Sequence, residues 1–141
     1  MLQNESVLWV ADNSGAKKIL VIRCLGGSSR RYSRIGDLVI ATVKKADPNA
    51  DPQVGKGKIV LALIVATRRY FHRQNNTWIK FSKNYAVLVK RERKIKDKGK
   101  KKRKIIKVVK EPVGTRIFVP LLAEFDQWGY NKILSLAPEI L

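Results

Sequence analysis

Short runs rich in Val, Ile, Leu and Thr follow one another at residues 7–11, 17–25, 38–43, 59–67, 78–81 and 85–89, with turn-forming residues between them and no long amphipathic helical pattern before residue 120. β-Branched side chains lose rotamer freedom in a helix and pack well on a pleated surface. Gly, Asn, Asp and Pro at the breaks reverse the chain. Six such runs in succession predict a mainly β fold, a small closed β-barrel. The run at 59–67, IVLALIVAT, has no polar residue before its last position and predicts a central strand buried on both faces.

The breaks differ in chemistry. Asp12-Asn13-Ser14-Gly15 predicts a tight reversal between the first two strands, because Asn and Asp tolerate positive φ and Gly takes it freely. Lys17 and Lys18 follow that turn. Residues 26–36, GGSSRRYSRIG, form a loop of another kind. Gly26, Gly27, Ser28 and Ser29 offer little bulk and many backbone N–H groups, Arg30, Arg31 and Arg34 offer guanidinium forks that match phosphate oxygens, and Tyr32 offers a ring for a base or sugar. A second basic loop, RRYFHRQNNT at 68–77, interleaves Arg68, Arg69 and Arg73 with aromatic residues. Between these loops, 44–57 contains two Asp-Pro pairs that oppose helix. Residues 78–81 and 85–89 predict the two strands of a hairpin joined by Ser82, Lys83 and Asn84. After Pro120 the spacing changes, and 121–128 and 130–136, divided by Gly129, predict two short helices.

Charge identifies the class of partner. The 30 Lys and Arg against 11 acids leave a formal charge of +19 and a pI near 10.4, which in 141 residues points to a polyanion, nucleic acid above all. No apolar run reaches membrane-spanning length and no basic amphipathic helix is evident, so a membrane surface is the weaker candidate. Residues 90–110 hold 13 Lys or Arg and two acids, +11 of the +19. Its centre is Lys100, Lys101, Lys102 and Arg103, and its two flanks carry apolar residues about Lys98-Gly99. The expectation is an extended hairpin or finger that repels itself when free and orders on RNA. The whole, residues 1–141, is expected to be a single domain, with 90–110 inserted in it and 121–136 as its helical end.

Catalytic constellations are missing. Cys24 is the one cysteine and His72 the one histidine, which rules out an internal disulfide and a His-His metal site, and no third group at a recognisable spacing orients a thiol-imidazole pair. Cys24, inside ILVIRCL, is expected to be a buried free thiol. Asp12, Asp37, Asp47 and Asp51 stand at turns, where side-chain to backbone hydrogen bonds account for them. No cofactor, metal or catalytic residue is expected. The first residues lack a secretory or organellar leader pattern, and the chain is expected to be neither secreted nor imported.

Five segments, VADNSGAKK, LGGSSRRYSRIGD, KGKIVLALIVATRR, PVGTRIFVP and KILSLAPEIL, resemble in order and spacing the family of universal large-subunit ribosomal proteins numbered fourteen. The resemblance implies a five-stranded barrel with a projecting β-ribbon and a small helical C-terminal part, one strand fewer than the six counted above. It implies binding to large-subunit rRNA and contact with neighbouring proteins of the families numbered three and nineteen. It also implies a place at the subunit interface, where a bridge to small-subunit rRNA forms, and it implies no catalysis. Carried onto this chain, the RNA-facing loop falls on Gly26, Gly27, Ser28, Arg30, Arg31 and Tyr32, and the partner-binding segment on Thr115, Arg116 and Phe118, near which a ribosome silencing factor docks in relatives. The chain departs from the family pattern at Ala123, Asp126 and Gly129, where basic residues are usual, and at 90–110, where the usual protein has a short polar connection. That expansion favours a mitochondrial ribosome over a plastid or bacterial one. The competing expectation is a free-standing RNA chaperone or translation factor.

Overall fold

The computed structural model describes residues 2–27, 30–98 and 101–141, with 91–98 and 101–109 described through their backbone. Eight strands and two short helices follow in the order β1 (Val7–Val10), β2 (Ala16–Cys24), β3 (Leu38–Ala46), β4 (Ile59–Ala66), β5 (Phe71–His72), β6 (Trp78–Ile79), β7 (Tyr85–Lys98), β8 (Lys101–Pro112), α1 (Glu124–Gln127) and α2 (Asn131–Leu134). A 3-10 turn, Pro52–Val54, interrupts the loop before β4, with the Asp51 carboxylate accepting from Gln53 N.

Strands β1, β2, β3, β4 and β7 pair in that order, and β1 returns to pair parallel with β7 through Trp9↔Tyr85 and Val10↔Ala86. Five strands thus close a barrel, and closure leaves no open edge around the ring. Strand β8 pairs with β7, from Val89↔Pro112 out to Lys98↔Lys101, so the chain over the basic stretch is an antiparallel hairpin standing out from the barrel. Its tip, with Lys100, lies outside the described residues.

The six-strand count needs correction. Residues 78–81 do not pair with 85–89; Trp78–Ile79 folds back on Phe71–His72 in a separate two-stranded hairpin, with His72 opposite Trp78. Its turn is built by Arg73 N donating to Thr77 O at 2.8 Å and by Asn76 at φ 64°. Ser82, Lys83 and Asn84 do not reverse the chain, because Asn84 is tied sideways: its carbonyl accepts from Trp9 N at 3.0 Å and its side-chain oxygen from Arg68 N at 2.8 Å. That crossing delivers β7 into the barrel between β4 and β1.

Strand β4 is buried on both faces, as its unbroken apolar run predicts, and the period of two explains it. Val60, Ala62 and Ile64 point into the barrel beside Leu8, Ile19, Val21, Val39, Ala41, Val43, Ala86 and Leu88. Leu61, Leu63 and Val65 point outward beneath Leu121, Leu122, Phe125, Tyr130 and Ile133. The C-terminal segment therefore lids one wall of the barrel. Its helices are shorter than 121–128 and 130–136. Leu121 is held instead in an extended bridge to Ile140, with Leu141 N donating to Leu121 O at 2.8 Å, and Gly129 at φ 87° ends the first turn. The seam between lid and barrel passes over Gly36, at φ 94°, where a Cβ would lie 2.7 Å from the Trp128 ring. Only glycine meets both conditions. Trp128 packs edge-on against Phe125, ring centroids 5.2 Å apart.

Cys24 is the expected buried free thiol, with Sγ 3.7 Å from Arg31 O.

Candidate nucleic-acid interface

Two segments a hundred residues apart meet at the first turn. Asp12 is buried and its carboxylate accepts from Ser14 N at 3.1 Å and from Leu88 N at 3.0 Å, so one side chain closes its own turn and ties it to β7. Burial raises the Asp12 pKa above its ordinary value of 3.8, and the hydrogen bonds from Ser14 and Leu88 oppose that rise. Asn13 clamps the other segment: its Oδ1 accepts from Thr115 N at 2.7 Å and Arg116 N at 3.1 Å, and its Nδ2 donates to Thr115 Oγ1 at 2.8 Å. Gly114 allows the approach, since a Cβ there would lie 2.8 Å from Asn13 Oδ1. Phe118 N donates to Ala11 O at 2.8 Å, and the Phe118 ring stays exposed beside exposed Thr115 and Arg116. The predicted partner-binding trio is thus presented on a braced loop.

The glycine loop takes the backbone its composition predicts, with Gly26 at φ 117° and Gly27 at φ 144°. Ser28 lies outside the described residues. Arg30 does not reach freely into solvent: it folds over Gly26, pairs with Asp37 and donates from Nε to Tyr32 O at 3.2 Å. Asp37 also accepts from Arg34 N at 2.8 Å, so one carboxylate gathers the loop. Arg31, Tyr32 and Arg34 remain exposed around this lock.

Arg68 and Arg69 are exposed, whereas Arg73 is not one of that set. Its guanidinium turns inward to Glu124, Nε to Oε1 2.9 Å and Nη2 to Oε2 3.3 Å, and Nη2 also donates to Leu141 O at 2.9 Å. The interleaved arginine of the second loop is thereby a clasp for the C-terminal lid. Lys17 is exposed, and Lys18 leans over the Trp9 ring with Nζ 4.5 Å from its centroid. Lys101, Lys102 and Arg103 lie in β8 opposite Lys98, Asp97 and Lys96 by backbone register; their side chains lie outside the described residues.

The aromatic residues of the second loop, Tyr70 and His72, were expected among its arginines; Trp9, Trp78 and the lysines beside the rings were not. Lys83 Nζ sits 4.9 Å from the Trp9 centroid on the side of the 82–84 crossing, and Lys80 Nζ 4.9 Å from Tyr70. The His72 and Trp78 rings stack at 4.5 Å with 34° between planes, and His72 Nε2 lies 3.0 Å from Asn76 Oδ1. The signal for Trp9 was its odd position in VLWV, where Leu8 faces the core and Trp9 must face out. Among the described residues no group of three metal-ligating side chains occurs, and no helix is long and apolar enough to cross a membrane. A family model described as ribosomal protein L14p/L23e matches the chain over residues 1–141.

Proposed function

The chain belongs to the ribosomal protein L14p/L23e family, so it is a structural protein of the large ribosomal subunit and not an enzyme, and from that premise we propose how it is used. It binds large-subunit rRNA through the glycine loop, with Arg31, Tyr32 and Arg34 against phosphates and sugars, Gly26 making room for the folded Arg30 and Gly27, with open space beside it, allowing close backbone approach. Lys17, Lys18, Arg68 and Arg69 extend that surface, and the lysine-rich ribbon at 90–110 reaches RNA farther off. The braced loop of Thr115, Arg116 and Phe118 faces protein: neighbours of the families numbered three and nineteen, and a ribosome silencing factor. The domain sits at the subunit interface and contributes a bridge to small-subunit rRNA. The basic expansion favours a mitochondrial ribosome.

The observation that carries the RNA reading is the separation of basic groups into two kinds. Arg30 and Arg73 are consumed by Asp37 and Glu124 to hold their loops in shape. Arg31, Arg34, Arg68 and Arg69 are left exposed on the loops so shaped, with forks available to phosphate. Sedimentation of a tagged protein through a sucrose gradient tests it. Co-migration with large subunits and whole ribosomes through a moderate salt wash is the expected result. A pool that leaves the particle under that wash would sink the reading, since shape-matched surfaces and neighbouring proteins hold a structural component in place where salt weakens binding to phosphate alone.

A further inference from the structure

Three rings stand exposed on the barrel strand β1, the second basic loop and the β5–β6 hairpin: Trp9, 38% exposed, Tyr70, 61%, and Trp78, 63%. Each lies beside a cation or a ring, Trp9 beside Lys18 and Lys83, Tyr70 beside Lys80, and Trp78 beside His72. They are joined through one short length of backbone. Asn84, next to Lys83, bonds both Trp9 N and Arg68 N, Phe81 N donates to Thr67 O at 2.9 Å, and Trp78 faces His72 across the β5–β6 hairpin. Hydrogen bonds thus link the strand that carries Trp9 to the segment that carries Tyr70 and to the hairpin that carries Trp78.

Its charge is one-sided. Residues 52–91 contain nine Lys or Arg and no Asp or Glu, and among the described residues the carboxylates that hydrogen-bond into this stretch are engaged there, Glu124 by Arg73, Asp12 by Leu88 N and Asp51 by Gln53 N. Cations alone would suit any phosphate array. Rings alternating with cations suit something narrower, because base faces are hidden inside a duplex and available in a single strand. Every base has a π-face, so such platforms hold unpaired strands with little regard to sequence while neighbouring cations follow the backbone.

We propose that Trp9, Tyr70 and Trp78, with Lys18, Lys80 and Lys83, form a stacking track for an unpaired RNA segment. The proposal rests on the rRNA-binding reading and adds to it a site and the conformation of RNA that fills it. On binding, the ammonium groups now resting on Trp9 and Tyr70 move to the adjoining phosphates and bases take their place on the rings.

Fluorescence anisotropy of the full chain with a labelled, unstructured oligouridylate about twelve nucleotides long tests it, beside a duplex of the same length. Trp9→Leu, Tyr70→Leu and Trp78→Leu should each weaken single-strand binding about fivefold or more, leaving duplex affinity and the salt dependence unchanged. The Lys18→Gln, Lys83→Gln double variant should lower the slope of log affinity against log salt. Wild-type single-strand affinity in the three ring variants, or equal losses for single strand and duplex, would overturn the track. So would displacement of the oligonucleotide from wild-type protein, but not from the ring variants, by the protein neighbours stripped from large subunits, which would make these rings a protein contact. Circular dichroism identifies folded variants, and because Tyr70 and Trp78 are the more exposed rings, their variants carry the test if Trp9→Leu is unstable. A gradient run separates the two readings: ring variants that enter large subunits with unchanged oligonucleotide affinity fail the track alone, whereas wild-type protein absent from large subunits fails the rRNA reading.

Discussion

Asn13 and Asp12 divide one turn between two tasks, and each task has its own consequence. Replacing Asn13 with Ala removes three hydrogen bonds and leaves the N–H groups of Thr115 and Arg116 to water. The expected loss is about 1–2 kcal/mol in urea unfolding, because these groups are exposed enough to be rehydrated. Asp12 offers a pH signature instead. Its folded pKa is raised by burial above 3.8, so the native state binds this proton more tightly than the unfolded chain. Stability from this group is then fully present below 3.8 and is lost as pH rises through the raised folded value, levelling off above it. In Asp12→Asn that dependence disappears. Urea unfolding of both proteins between pH 3.8 and neutrality should give a difference, wild type minus variant, that falls with rising pH and then flattens. A flat difference throughout would show that burial does not control this carboxyl. Asp12 as a turn residue was legible in DNSG; its bond to Leu88 was not, because a partner 76 positions away leaves no local pattern.

At the level of elements, the lid over β4 depends on two features that composition does not advertise. Gly36→Ala places a methyl 2.7 Å from the Trp128 ring at a backbone φ of 94°. It should cost about 2 kcal/mol or more and shift Trp128 fluorescence as the ring is displaced. Arg73→Leu should cost about 2 kcal/mol in thermal or urea unfolding, since Glu124, with its side chain 12% exposed, loses its partner. The same variant should bind RNA nearly as well as wild type, whereas an Arg68→Ala, Arg69→Ala double variant should bind more weakly with little loss of stability. An Arg73→Leu protein that is fully stable but deficient in RNA binding would reverse the assignment. Strands β1 to β4, and β6 within the run at 78–81, could be found from β-branching and turns, while β5, two residues long, is too short for a periodicity to register. Pairing 78–81 with 85–89 failed because proximity in sequence is a strong guide to pairing only where the intervening residues can reverse.

The whole molecule joins a closed barrel to a ribbon that the barrel does not need for closure. The pairing that seals the ring uses Trp9, Val10, Tyr85 and Ala86, so replacing residues 91–109 by a two-residue turn should leave a cooperative unfolding transition within a few degrees of wild type. The deletion removes eleven Lys or Arg and two acids, taking the formal charge from +19 to +10. RNA affinity should fall, and its salt dependence should flatten in proportion to the number of phosphates that the ribbon neutralises; an unchanged salt slope would mean that the ribbon meets protein. By itself the sequence determined the β class, the doubly buried strand, the buried thiol and the large positive charge, because propensity, period and net charge are local or additive quantities. Tertiary structure alone decided which strand seals the barrel, which arginines are spent as clasps, and which rings come together on the surface. Those outcomes depend on partners 51 residues apart, as in Arg73 with Glu124, or 102 apart, as in Asn13 with Thr115, and no pattern within a strand or turn encodes what lies across the fold.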